Sequence, residues 1–128
     1  MKHSAAPFRS TWNGSDRCPY KAALDVVGGR WKGLLIWRLS VEPLRTGELR
    51  RLIPDITQKM LTQQLRSLED EDVVARTIYP EVPPKVVYRL TDYGRSVVPV
   101  VMSLTEWGNA HVARRQTKKF QAHSDENA

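Results

Sequence analysis

Apolar positions along the chain fall into blocks of different period, and the clearest block is Ile56 to Glu71, ITQKMLTQQLRSLEDE. Leu61, Leu65 and Leu68 recur there at i, i+4 and i+7, which sets three Leu side chains on one stripe of a helix that must face a core. Thr57 supplies a hydroxyl to cap exposed N–H groups, and Pro54 lies just ahead of it, so the spacing predicts a helix start at this point. The opposite face carries Gln58, Lys59, Thr62, Gln63 and Arg66, with no acid until the run Glu69 to Asp72.

The blocks on either side frame this helix. Cys18-Pro19 opens a first helix, with Ala22, Ala23, Val26 and Val27 as its apolar side and Gly28-Gly29 as its end. Trp31 to Leu39 is apolar nearly all round, the pattern of a helix buried on more than one side, by its own domain and by a second copy. Pro43 breaks the chain, and Gly47-Glu48 begins a short helix, GELRRLI, in which Leu49, Leu52 and Ile53 are expected to face inward. Pro54 to Thr57 joins it to the Leu-striped helix, so two helices meet across a tight turn.

Two β-rich runs follow, VVARTIYP and KVVYRL, separated by Glu81, Val82, Pro83 and Pro84. Alternation puts Val86, Tyr88 and Leu90 on one face of the second run, with Lys85 at its tip end. Thr91-Asp92 caps a last long helix expected to reach about Arg114, striped by Val97, Val101 and Leu104 and broadened by Met102 and Trp107. Pro99 conflicts with a straight interior and predicts a kink near Arg95 to Val98. The architecture expected is α+β, mainly helical: a winged helix-turn-helix with N- and C-terminal dimerisation helices. Residues 1–17 are read as a flexible arm, 18–112 as the domain and 113–128 as a frayed basic tail.

Composition narrows the function. A chain of 128 residues with 41% hydrophobic side chains suits one small domain with a core, and it holds no apolar run near the ~20 residues that cross a bilayer and no charged-then-apolar leader. A soluble, cytoplasmic protein with no membrane partner is therefore expected. The net charge of +6 favours an anionic partner. A lone cysteine rules out an internal disulfide framework and a cysteine-based zinc site. His3, His111 and His123 match neither a metal-ligand spacing nor a nucleophile–base arrangement, so no enzyme activity, metal or cofactor is expected.

Gln, Lys, Thr and Arg are the side chains that bond phosphate oxygens and purine edges in a DNA major groove. On that basis Gln58 and Gln63 are candidates for adenine edges, Lys59 and Arg66 for guanine or phosphate, and Thr57, Thr62 and Lys85 for the backbone, Lys85 from a wing. Any amphipathic surface helix also has a polar face that binds nothing, and an edge hairpin can carry a solvated lysine. A winged helix can equally serve as a protein–protein interaction module, although an apolar or acidic face would suit that role better. The order helix, turn, polar helix, hairpin favours double-stranded DNA.

The segments CPYKAALDVVGGRWKGLLIWRL, TGELRRLIPDITQKMLTQQLRSLEDEDVV, YPEVPPKVVYRLTDYG and PVVMSLTEWG together resemble the HxlR-type winged helix-turn-helix transcriptional regulators of prokaryotes, over about Cys18 to Val112. The resemblance implies a homodimer whose first and last helices interlock, binding a pseudo-palindromic operator, with repression as the expected direction. It places Ile56 to Glu71 in the major groove and matches Lys85 to the basic wing position. Thr57 stands where Ser is usual in that family, Asp55 where Gly is common, and Thr46 where an aromatic residue is frequent.

Cys18 matches a position that acts as a redox or electrophile sensor in some members. A thiol at a helix N-terminus beside Arg17 and Lys21 has its thiolate favoured by the helix dipole and by cations. The same position also suits a small residue that merely starts a helix. An oxidant or a small molecule is the effector class this leaves open.

Overall fold

The computed structural model describes residues 18–126. The elements are α1 (Pro19–Val27), α2 (Lys32–Val41), α3 (Thr46–Leu52), α4 (Gln58–Asp70), β1 (Val74–Tyr79), β2 (Lys85–Leu90), α5 (Asp92–Arg95) and α6 (Val98–Glu126). The arm expected over 1–17 lies outside the described residues. No helix among the described residues is long and apolar enough to cross a membrane.

One apolar core holds these elements together. Leu35, Ile36 and Leu39 of α2 meet Leu49 of α3, Leu61, Leu65 and Leu68 of α4, and Tyr88 and Leu90 of β2, all of them buried. Fully burying a Leu or Ile side chain is worth about 1.5–3 kcal/mol. The Leu stripe of α4 therefore fixes which way that helix turns its polar face. Its C-terminus is also fixed: Asp72 takes a left-handed φ of 61°, and the N–H groups of Val73 and Asp72 bond the carbonyls of Leu68 (3.0 Å) and Glu69 (2.9 Å). That is the Schellman arrangement, with Val73 and Leu68 supplying its apolar contact in the core.

The hairpin is antiparallel, with Val74 opposite Leu90 and Tyr79 opposite Lys85. A third, minimal strand joins it. Leu44 N–H bonds the Tyr88 carbonyl (3.0 Å) and Tyr88 N–H bonds the Leu44 carbonyl (2.8 Å), so the segment leading into α3 is stitched to the wing. The short apolar span between Pro43 and Arg45 gave no strand signal in the sequence.

Three expectations need correcting. Leu52 is exposed, because the chain leaves the helix at Ile53 and the buried side chains of Ile53 and Ile56 take up the space beneath the turn. On α2, Leu34 and Trp37 on the side away from the core are exposed within one chain, and the burial expected there against a second copy is a contact between chains. The predicted kink near Pro99 is a full break. Thr91 caps the short α5 by accepting from Gly94 N–H (2.8 Å), Ser96 and Val97 form a turn, and Pro99 sits in the first turn of α6, where its missing N–H costs nothing. Helix α6 also runs past Arg114 to Glu126 instead of fraying.

Candidate nucleic-acid interface

The turn between α3 and α4 is set from below. Ile53 and Ile56 anchor it in the core, and Thr57 then starts α4 by accepting a hydrogen bond from Met60 N–H at 3.1 Å. Such a cap is worth about 1 kcal/mol and fixes the first turn of the helix. Its exposed face follows from the 3.6-residue period: Gln58, Lys59, Thr62, Gln63 and Arg66 all lie in solvent, opposite the buried Leu61, Leu65 and Leu68.

These side chains are not equivalent. Gln58 donates its Nε2–H to Thr62 Oγ1 (3.2 Å), so each holds the other in place along the helix. Gln63 makes no such bond among the described residues and presents its whole amide outward. A Gln amide offers one acceptor and two donors, which matches the N6 and N7 pair of adenine.

Three acids around this helix are engaged. Asp55, at the turn, lies 3.6 Å from an Arg30 guanidinium nitrogen, and Arg30 in turn stacks over the Trp31 ring at 4.3 Å. Glu48 accepts from Arg45 N–H at 2.9 Å. At the far end of α4, Glu69 pairs with Arg76 of β1 at 3.3 Å, tying the helix to the wing. All these pairs involve exposed groups and are worth at most about 1 kcal/mol each. Their consequence is geometric: they keep negative charge engaged away from the polar face of α4.

Lys85 begins β2 at the tip end of the ladder and is half-buried. Its ammonium stands 5.2 Å from the Tyr79 ring centre on the opposite strand, and it lines a cleft between the wing and the start of α3. Arg45 and Arg51 line the same cleft. Sequence reasoning passed over both, because they fall on the first helix of the pair and only the Leu44–Tyr88 pairing brings them beside the wing.

Cys18 occupies the N-cap position of α1, half-buried and with a free thiol. Lys21, which the sequence placed as a neighbouring cation, turns its ammonium to Asp25 at 3.2 Å. Arg17 lies outside the described residues. On α6, His111 stacks against Trp107 with ring centres 4.9 Å apart.

Comparison with known proteins agrees with this geometry. A family model described as HxlR-like helix-turn-helix matches residues 26–116. The uncharacterised HTH-type transcriptional regulator YybR of Bacillus subtilis is 44% identical over 103 residues, covering 80% of this chain and 82% of its own. Among solved structures, the redox regulator HypR in its reduced form is 44% identical with a TM-score of 0.74, covering 77% of this chain and 98% of that one. Its oxidised form gives 48% identity and a TM-score of 0.70, covering 73% and 96%.

Proposed function

This chain belongs to the HxlR-like helix-turn-helix family and is a transcriptional regulator of the helix-turn-helix type; from that premise we propose that it acts as a homodimeric repressor on a pseudo-palindromic operator. Each protomer lays α4 in the major groove, with half-sites about one helical turn, ~34 Å, apart. Gln63 reads an adenine edge, Arg66 and Lys59 take guanine or phosphate, and Gln58, held by Thr62, presents its free carbonyl oxygen and remaining N–H. Thr57, Thr62 and Lys85 hold the backbone.

The observation that carries this reading is the exposed, acid-free face from Gln58 to Arg66 on a helix whose back is locked into the core. Surface apolar residues support the dimer: Leu34 and Trp37 on α2, and Leu104, Trp107, Val112 and Phe120 along α6, are all exposed in one chain. The 29 residues of α6 span roughly 43 Å, longer than so small a domain can cover, and a second copy is the natural cover.

A thiol switch at Cys18 belongs to the same proposal. Its support is a free, half-buried cysteine at a helix start in a chain similar to a redox regulator. Footprinting of the DNA upstream of this chain's own gene, followed by mobility shifts over a salt series, tests the reading. A protected two-fold site whose affinity falls steeply with salt is expected; a protein that shifts no duplex at low salt would leave the protein–protein role in its place.

A further inference from the structure

The cleft between the wing and the start of α3 has a volume of roughly 550 Å³ and is lined by Arg45, Thr46, Arg51 and Lys85, with Gly47 and Glu48 beside them. Its charge is lopsided. Three cations face one carboxylate, and Glu48 already accepts from Arg45 N–H. Neither Arg45 nor Arg51 has an acidic side-chain partner among the described residues, and the Lys85 ammonium rests on the Tyr79 ring. Unpaired cations held together repel one another, so an arrangement of this kind is stabilised by an anion placed between them.

The two walls are also rigidly related. Leu44, which precedes Arg45, exchanges two backbone hydrogen bonds with Tyr88, three residues along β2 from Lys85. The separation of the cations is thereby set by a sheet and not by side-chain rotamers alone.

We propose that this cleft is a phosphate site that grips one backbone phosphate of the duplex, so that α3 and the wing hold the same strand while α4 reads the groove. This rests on the DNA-binding reading above. A guanidinium presents two parallel N–H donors to phosphate oxygens, and the lysine adds a mobile point charge. Nothing in the cleft reads a base, so its contribution is independent of sequence.

The experiment uses the full chain, a fluorescein-labelled duplex of mixed sequence, and anisotropy over a potassium chloride series. Arg45 and Arg51 are both exposed, so Arg45→Gln/Arg51→Gln should keep the fold, which melting by circular dichroism verifies. The expected result is weaker binding with a log–log salt slope shallower by about 0.9 per protomer for the phosphate released. Arg45→Lys/Arg51→Lys should retain the slope. A Gln double variant with the wild-type slope overturns the site while leaving α4 in the groove. Wild-type protein with no salt-dependent binding removes the DNA reading itself, and the site with it. Calorimetry with inorganic phosphate separates the two sources of the anion. Phosphate binding that the double variant abolishes, together with an unchanged duplex slope, would assign the cleft to a free anion and overturn the strand contact.

Discussion

A Cβ placed on Gly94 would stand 2.0 Å from the carbonyl oxygen of Val73, a distance no side chain tolerates. That carbonyl also accepts from Thr91 N–H at 3.0 Å, and Gly94 N–H bonds Thr91 Oγ1. The start of β1, the end of β2 and the cap of α5 are thus knotted at one point, where two stretches of backbone lie in direct contact.

Gly94→Ala should therefore destabilise the protein, by about 1–3 kcal/mol, as expected when extra volume is forced into closed packing. Both atoms in the clash belong to backbone or would hang from it, so no rotamer change relieves it. Urea unfolding followed by circular dichroism checks the size. As a comparison, Gly108→Ala adds a Cβ in mid-helix with nothing within 4 Å and should be neutral or stabilising.

Base reading and backbone gripping should separate by mutation. Gln63→Ala removes an outward amide with no partner among the described residues, so it should relax preference at one operator position by about 1–3 kcal/mol and leave other positions alone. Lys85→Ala should weaken all sequences alike and reduce the salt slope. Binding measured on a panel of single-position operator variants distinguishes them, and exchanged phenotypes would reverse the assignments.

Much of this design is legible in the chain itself. The Leu61, Leu65, Leu68 stripe reports both the helix and its direction, because burial of three Leu residues outweighs any local preference. Thr57 caps the helix it was expected to cap and Thr91 caps a helix at the expected point, although that helix is the short α5 and not the long one, since a hydroxyl ahead of a helical run has few better partners than the free N–H groups there. What stayed hidden depends on contacts distant in sequence. The one-residue pairing of Leu44 with Tyr88 carries no period, and without it Arg45 and Arg51 do not read as neighbours of Lys85. Pro99 was ambiguous for a local reason: the same ring kinks a helix from inside and starts one well from its first turn, and only the Thr91–Gly94 cap decides between them.

Oxidation should act through Cys18 alone. With one cysteine in each chain, diamide can join two chains or attach a small thiol, but cannot close a loop within one. Treated wild-type protein should show altered duplex affinity, reversed by dithiothreitol, and Cys18→Ser should not respond. A covalent dimer on a non-reducing gel would show that two Cys18 residues meet across the subunit contact. Equal responses of the two proteins would remove the switch.

The last prediction concerns what covers α6. Past Gly108 every described side chain of this helix with an assigned exposure lies in solvent, including Trp107's stacking partner His111 and the apolar Val112 and Phe120. Covering that apolar surface with a second copy is favourable, since burial returns about 25 cal/mol for each Å² covered. Leu104 lines a cleft with Val27, Leu34 and Trp37, where Leu34 and Trp37 also open to solvent, and the exposed Trp107 stands one turn further along α6. Leu104→Glu/Trp107→Glu should place two charges on that surface and leave the core residue Val101 untouched. Sedimentation equilibrium should then shift from dimer to monomer while the melting profile of the domain persists. Because a lone protomer reaches only one half-site, the same variant should also lose most of its affinity for a two-fold operator yet keep the weaker, salt-sensitive binding of a single α4. A variant that remains dimeric would place the subunit contact elsewhere on the chain.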